Sequence, residues 1–229
     1  MMKKRKAWCK KYRNWTVSDW KMVMWSDETI IRQFLSYRPF VRRPPNTRFH
    51  PKYILPTVRH PMSLMVWGCM SFNGRGGMHL LEKGTTMNSS CYLSVLKDKI
   101  LTHMSVHGTN IFMQDGAPCH KAKIVTKWLA DSKIQTLDWP GNSPDLNPIE
   151  NLWRILKQKV SLKKFNNFCE LQNATIQAWA TEITKNSCEK LVSSMPSRIK
   201  SVLKSNGGII KHVLVVYYFL ATVNHSQLA

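Results

Sequence analysis

Acidic residues are scarce in this chain. Asp plus Glu number 13 against 34 Lys plus Arg, a formal net charge of +21 over 229 residues. Such an excess makes a folded chain self-repulsive without a polyanionic partner. DNA or RNA is the favoured one, because basic side chains gain affinity by displacing counterions from phosphates. A ribosomal-type RNA binder or a membrane-surface protein would show the same sum, so charge selects a class of partner and no reaction. Cysteine pairs are missing too. The six cysteines, at 9, 69, 91, 119, 169 and 188, form no C-x-x-C, which argues against a zinc ribbon or finger and against a compact secreted disulfide framework. They read as reduced, mostly core thiols of an intracellular protein.

Long hydrophobic runs are also lacking. The apolar stretch Val213–Val223 is about half the roughly 20 residues a membrane-spanning helix needs, so no membrane partner is expected. The first residues are basic without the apolar stretch of a signal peptide. Their run Lys3-Lys4-Arg5-Lys6 reads either as a nuclear import signal or as a solvated basic terminus. No internal repeat or low-complexity tract interrupts the chain. What is present is a normal apolar complement, 43% hydrophobic, enough for the core of one domain.

Apolar periodicity predicts the order of elements. Lys21–Ser26 reads as a buried strand ending at Asp27 and Glu28, and Ile30–Leu35 as a second strand. Residues 39–61, rich in proline and in arginine (Arg42, Arg43, Arg48, Arg59), fit an extended basic loop inserted after that second strand. Ser63–Phe72 resumes strand character, Asn73–Gly77 reads as a turn, and Met78–Glu82 as a further strand. An amphipathic helix over Ser89–Met104, a short strand at Asn110–Gln114, a helix over His120–Asp131 and a strand at Ile134–Leu137 follow. A loop dense in turn residues, Trp139–Pro148, runs into a helix from Ile149 to about Leu162, with two more helical stretches near Phe168–Ile183 and Ser187–Lys204. Strands that later alternate with helices predict an α/β fold, a mixed sheet flanked by helices.

Three of the few carboxylates stand in suggestive places. Asp27 and Asp115 each close a short apolar run, where a sheet presents side chains to a crevice. If the two strands are neighbours, the carboxylates meet, and they repel unless a cation or a proton lies between them. Mg²⁺ suits such a site because it takes oxygen ligands and binds through few carboxylates together with substrate phosphates. Glu150 joins from the first turn of a helix for which Asn147 is a good N-cap and Pro148 a good first residue. Arg154 and Lys157 follow on the same face, placed to meet phosphates, while Leu152, Trp153, Leu156 and Val160 form the buried stripe. Taken singly, each aspartate reads as a turn cap, and Glu150 as a capping-box member or the partner of Arg154. Taken together, in this order, the three favour a metal site.

The segment Trp139-Pro-Gly-Asn-Ser-Pro-Asp-Leu-Asn-Pro-Ile-Glu-Asn-Leu-Trp153 closely resembles the third catalytic motif of the Tc-type branch of the Tc/mariner transposase superfamily. Phe112–His120 resembles the motif of that family's second aspartate and Val23–Glu28 that of the first; Val66–Ser71 and Ser194–Arg198 match as well. The 34 residues between Asp115 and Glu150 are the spacing of the branch whose third ligand is glutamate. The resemblance implies a ribonuclease-H-like fold in which Asp27, Asp115 and Glu150 hold two Mg²⁺ (or Mn²⁺) ions. It also implies phosphodiester hydrolysis and strand transfer on transposon ends and target DNA, a homodimer in the full-length form and nuclear residence. Arg42 and Arg43 fall where the family has a loop that pairs subunits and holds DNA ends, and His120 and Asn151 adjoin ligands.

Two departures shape the expected organisation. The first aspartate arrives at residue 27, leaving no room for the paired helix-turn-helix modules the family carries ahead of it. Residues 1–18 are therefore expected as a basic remnant of a linker, 19–208 as the catalytic domain of a fragment or truncated copy, and 209–229 as a divergent tail. A non-enzymatic DNA-binding remnant or co-opted transposase-derived protein is the alternative, and another ribonuclease-H-like nuclease a third reading.

Overall fold

The computed structural model describes residues 1–32, 42–53 and 62–210. Helices α1 (Met2–Lys11) and α2 (Val17–Lys21) lead into strand β1 (Val23–Arg32). A short 3-10 turn at Pro51–Tyr53 precedes β2 (Ser63–Ser71) and β3 (Gly74–Leu80), which form a hairpin. Then come α3 (Ser89–His107), β4 (Ile111–Met113), α4 (Lys123–Asp131), β5 (Gln135–Thr136), α5 (Ile149–Ser161), α6 (Phe168–Glu182), α7 (Lys185–Ser193) and α8 (Met195–Lys204). Among the described residues the strands make one sheet in the order β3-β2-β1-β4-β5. Its first half is antiparallel, while β4 runs parallel to both β1 and β5. This is the mixed sheet with flanking helices that the apolar pattern predicts.

Both faces of the sheet are covered. Successive strand residues point to opposite faces, and β1 divides accordingly. Val23, Trp25 and Ile31 join a core with α1, α2 and α5 to α8, whereas Met24 joins a second core with Trp67, Cys69, α3 and α4. The helices start where short polar side chains can cap them. Asn88 accepts from the Cys91 N–H at 2.9 Å, Asn167 from Glu170 at 2.9 Å, and Thr16 forms a reciprocal capping box with Asp19. Gly108, at φ 63°, ends α3 in the left-handed conformation that glycine adopts without strain.

Several expected elements are redrawn. The strand expected at 21–26 and the described part of the one expected at 30–35 are one strand, β1, paired with β2 from Trp25 to Arg32 without a break, and residues 33–35 lie outside the described residues. The polar pair Asp27-Glu28 is therefore no strand end, and of the basic loop expected over 39–61 residues 39–41 and 54–61 lie outside the described residues. The glycines expected in a turn at 73–77 all belong to β3: Gly76 lies so close to Cys69 and His103 that a Cβ there would meet both within 2.4 Å. The helix expected over 187–204 breaks at Ser194, which ends α7 and starts α8 with Pro196 in its first turn. The run Val213–Val223 lies outside the described residues. Among the described residues no helix is long and apolar enough to cross a membrane.

The basic start is not a solvated tail. Trp8, Cys9 and Tyr12 pack into the same core as β1 and α5, and α1 lies against α8. Arg5 is 1% exposed, so the Lys3–Lys6 run does not present its four cations together.

The second core holds a buried imidazole. His103 stacks on His107 with ring centroids 4.1 Å apart, its Nδ1 lies 3.8 Å from Cys69 Sγ, and its Nε2 has no partner. Burial, with a smaller contribution from the His107 charge, pushes its pKa down to about 3. Between its ordinary value of 6.5 and about 3 the unfolded chain takes up a proton that the fold refuses, so stability falls as pH falls through that window. From pH 7.5 to 4.5, urea denaturation should show wild type losing on the order of 1–2 kcal/mol more than His103→Gln. Equal losses would show that the imidazole is not the strained group.

Candidate active site

Asp27, Asp115 and Glu150 line one cleft of about 160 Å³, together with Trp139, Asn142, Ser143, Pro144 and Asn147. The sheet explains the convergence. β1 pairs in parallel with β4 only from Val23 to Trp25, opposite Ile111 to Met113. Two residues beyond that pairing on each strand stand Asp27 and Asp115. Asp27 thus occupies the end of the parallel pairing even though its own strand continues along β2. Glu150 enters from α5, whose first free N–H groups are met by Asn147, its side-chain oxygen accepting from Ile149 at 3.4 Å and its carbonyl from Glu150 at 3.3 Å. The helix begins one residue later than Asn147 and Pro148 predict, with Pro148 itself at the N-cap.

Asp27 and Glu28 are neighbours with opposite tasks, because adjacent strand residues face opposite sides. Asp27 faces α5, where the Trp153 indole N–H donates to its Oδ2 at 3.3 Å. Room for that indole comes from Gly68, the residue paired with Asp27 across β1 and β2; a Cβ on Gly68 would lie 2.6 Å from the Trp153 ring. Glu28 faces the α3–α4 side and meets His120 Nε2 at 3.3 Å. His120 Nδ1 lies 2.7 Å from Asp115 Oδ1, and the buried ring stacks on Tyr92 at 4.0 Å.

The electrostatics differ sharply between the two aspartates. The His120 hydrogen bond and the Ala117 N–H outweigh partial burial and hold the Asp115 carboxyl below its ordinary value. Burial opposes charge on His120, yet its bonds to Asp115 and Glu28 and their charges raise it to about 10, so the ring is an imidazolium at neutral pH. Asp27 moves the other way. Enclosure of its carboxyl, then the charges of Glu150, Glu28 and Asp115, push its pKa well above the ordinary value. Burial raises Glu150 as well, against the Lys157 charge and a hydrogen bond with Asp27. Negative charge is therefore crowded at the cleft with too little compensation from the protein. Among the described residues no three His, Cys, Asp or Glu side chains already form a closed metal cage. The donor set fits a hard divalent cation all the same: oxygen atoms only, charge awaiting a counter-charge, and an open side for phosphate oxygens.

Of the cations expected near the site, Lys157 is there. Burial lowers its pKa while the charges of Glu150 and Asp27 hold it up. Arg154, one turn on from Glu150, lines a neighbouring cavity with Glu150, Asn151 and Arg198 and not the cleft itself. Arg42 and Arg43 are exposed on the segment between β1 and β2 and are not among the residues lining the cleft. Asn151 turns away from the cleft and accepts from Arg198 at 2.7 Å.

Sequence patterns alone pass over the braces. Arg198, 2% exposed, also donates to the Asp145 carbonyl at 2.9 Å and through Nε to Ser194 at 2.9 Å. Asp145 in turn takes a two-pronged bond from Arg5, at 2.7 and 2.6 Å, and an N–H from Ile210 at 2.9 Å. The loop that delivers Glu150 is thus tied to both ends of the described chain. A signal for Arg198 existed in the Ser194–Arg198 match; for Arg5, hidden in a run of lysines, there was none.

Comparison with known proteins agrees with this geometry. The family model described as DDE superfamily endonuclease matches residues 22–172. The chain is 34% identical over 212 residues to the transposable element Tc1 transposase of Caenorhabditis elegans, covering 91% of this chain and 77% of that one. The Tcb1 transposase of Caenorhabditis briggsae is 32% identical over 213 residues, covering 90% and 77%. A Mos1 transposase paired-end complex with left transposon end matches with a TM-score of 0.77 at 20% identity, over 90% of this chain and 62% of that one. The catalytic domain of Mos1 mariner transposase matches with a TM-score of 0.71 at 19% identity, over 92% and 95%. At such identities the structural likeness establishes the fold. The chain spans less than two thirds of the chain in the paired-end complex and nearly all of the isolated catalytic domain.

Two outcomes follow from the crowding around Asp27. In EDTA at pH 8, Asp27→Asn keeps an acceptor for Trp153 and removes a confined charge, so it should raise the melting temperature by ~2–4 °C, about 1 kcal/mol; a lower melting temperature would show that the carboxylate is at ease. Gly68→Ala should cost about 1–3 kcal/mol in urea denaturation, because Trp153 is stacked on Trp179 at 5.3 Å and has nowhere to go. Unchanged stability would mean that the indole moves freely.

Proposed function

The chain belongs to the DDE superfamily of endonucleases, and from that premise we propose that it is the catalytic part of a DNA transposase, cutting phosphodiesters at transposon ends and joining them to target DNA. The observation that carries this reading is the meeting of Asp27, Asp115 and Glu150, from two parallel-paired strands and a helix N-terminus, around one cleft.

Asp27, Asp115 and Glu150 are the residues that would hold two Mg²⁺ or Mn²⁺ ions. Bound there, such ions supply Lewis acidity to the attacking and leaving oxygens of a phosphodiester. The Mos1 catalytic domain has been solved with Mg and with Mn, which supports the choice of ions. The protein's own part is positioning and charge. His120 keeps its Nδ1 proton on Asp115 Oδ1 and fixes the orientation of that carboxylate, leaving the other oxygen for the cleft. Glu28 holds the opposite edge of the same ring. Trp153 fixes Asp27 in the same manner from the other face of the sheet. Lys157, beside Glu150, supplies a cation to a phosphate entering the cleft. Arg154 is assigned to the backbone further along the DNA, and Arg42 and Arg43, on the exposed segment before β2, to transposon-end DNA or a second subunit.

The net charge of +21 supports DNA as partner. The Mos1 paired-end complexes support a dimer of the full-length protein on two ends. Residence in the nucleus goes with that substrate.

Nicking of supercoiled plasmid in Mn²⁺ tests the reading. Asp27→Asn, Asp115→Asn and Glu150→Gln should each reduce the rate by about 10³-fold or more, and EDTA should abolish it. Cutting by Asp115→Asn at the wild-type rate would remove the assignment.

A further inference from the structure

A second cavity, of about 700 Å³, opens beside the carboxylate cleft, and the two share Trp139 and Asn142 as lining. One wall is a single face of α1, carrying Lys4, Trp8 and Lys11 at helical spacing. The other wall is the loop from Asp138 to Asn142, with Lys121 alongside, from the turn that follows Asp115. Three lysines therefore face one carboxylate, Asp138, which lies 3.2 Å from Lys11 with both side chains exposed. The groove is net positive, and it adjoins a cleft that is net negative.

Its floor is aromatic and rigid. The Trp8 indole N–H donates to the Asp138 carbonyl, fixing the helix to the loop. Trp139 meets Trp8 and Trp25 in T-shaped contacts, with centroids 5.1 and 5.9 Å away, and is half-buried while lining both cavities. A ring held by its neighbours and open on one side is a ready stacking platform for a base. The size of the groove, about 700 Å³, lies in the range of small-ligand sites, ~300–1,000 Å³.

The geometry points to this groove as the seat of a short single strand of DNA, continuous with the strand whose phosphodiester lies in the carboxylate cleft. Its backbone runs along Lys4, Lys11 and Lys121, and a base next to the cut stacks on Trp139. This rests on the transposase reading, and it gives α1, which carries none of the cleft carboxylates, a role in holding substrate. A basic, aromatic-floored track binds single strands by stacking and phosphate contact with little regard to sequence. Opening of the duplex at the cut is implied, since a base stacked on Trp139 has left its pairing partner.

The test uses the full chain in EDTA and a fluorescent oligodeoxythymidylate, read by anisotropy, with a duplex of the same length beside it. Trp139→Leu should weaken single-strand binding about tenfold. The double variant Lys4→Gln/Lys11→Gln changes only exposed side chains; it should weaken binding by about tenfold and flatten the log–log salt slope by about 1.4, at ~0.7 per lost phosphate contact. A charge-matched control, Lys163→Gln/Lys164→Gln, should show no more than about a twofold change. The proposal is overturned if the groove and control variants bind alike, or if the groove variants weaken duplex binding more than single-strand binding. Plasmid nicking in Mn²⁺ separates this from the parent reading. Wild-type cutting with unaltered single-strand binding in the groove variants sinks the groove alone, whereas groove-dependent binding without metal-dependent cutting sinks the enzymatic reading alone.

Discussion

Repulsion among carboxylates confined to one cleft is the constraint around which this molecule is arranged. Asp27 has Glu150, Glu28 and Asp115 as acidic neighbours, and burial deprives it of the water that would screen them. A chain with 34 basic and 13 acidic residues had ample means to neutralise that spot, yet the cations it places nearby are few. Lys157 bears on Glu150, and His120 answers Asp115 and Glu28 from the far side. The remaining charge is left for something that arrives. That is the arrangement expected where an ion and a phosphate complete the balance together, and it accounts for a fold that is overall a strong cation while its centre is an anion.

Holding such a centre requires rigid surroundings, since each carboxylate gains by moving away from the others. The structure supplies a brace to each. Asp115 is held by an imidazolium and a backbone N–H, Asp27 by an indole N–H, and Glu150 by the helix that begins at Ile149, whose first N–H groups Asn147 accepts. The third brace extends furthest. The loop before α5 passes Asp145, whose carboxylate takes Arg5 from α1 and whose carbonyl takes Arg198 from α8. Gly207, at φ 92°, turns its carbonyl onto Arg5 as well. Truncating one partner of a buried charged pair typically costs more than the pair contributes. The basic start of the chain is therefore part of the scaffold of Glu150, and its helix serves the fold before it serves any ligand.

The chemistry was more legible in the sequence than the framework was. The meeting of the three carboxylates in one cleft and the buried stripe of α5, Leu152, Trp153, Leu156 and Val160, are as the sequence predicts, while the N-cap falls on Pro148 rather than on Asn147. The Asp27 backbone was misplaced for a physical reason. Polar residues at 27 and 28 look like the end of an apolar run, but β2 continues to pair with β1 beyond them, and tertiary pairing decides where a strand ends. The break at Ser194 was hidden because Pro196 is as acceptable in a first turn as it is disruptive inside a helix. Gly68 and Gly76 looked like ordinary strand and turn glycines; only the indole and imidazole packed against them show why a side chain is excluded. Arg5 was unreadable, because nothing local distinguishes a buried arginine from three surface lysines beside it.

The two-residue period of a strand turns one short motif into two separate devices. Asp27 and Glu28 are joined by a peptide bond yet act on opposite faces of the sheet. The first stands in the open cleft under Trp153, the second in a closed pocket under Tyr92 and His120. His120 then brings the second device back to the first by taking Asp115 in its other nitrogen. A shift of β1 by one residue against β2 would exchange the two carboxylates, placing Asp27 in the closed pocket and Glu28 in the cleft. The long, unbroken pairing from Trp25 to Arg32 prevents that slip. The continuation of β1 past the site, which its sequence conceals, is what secures the register on which the site depends.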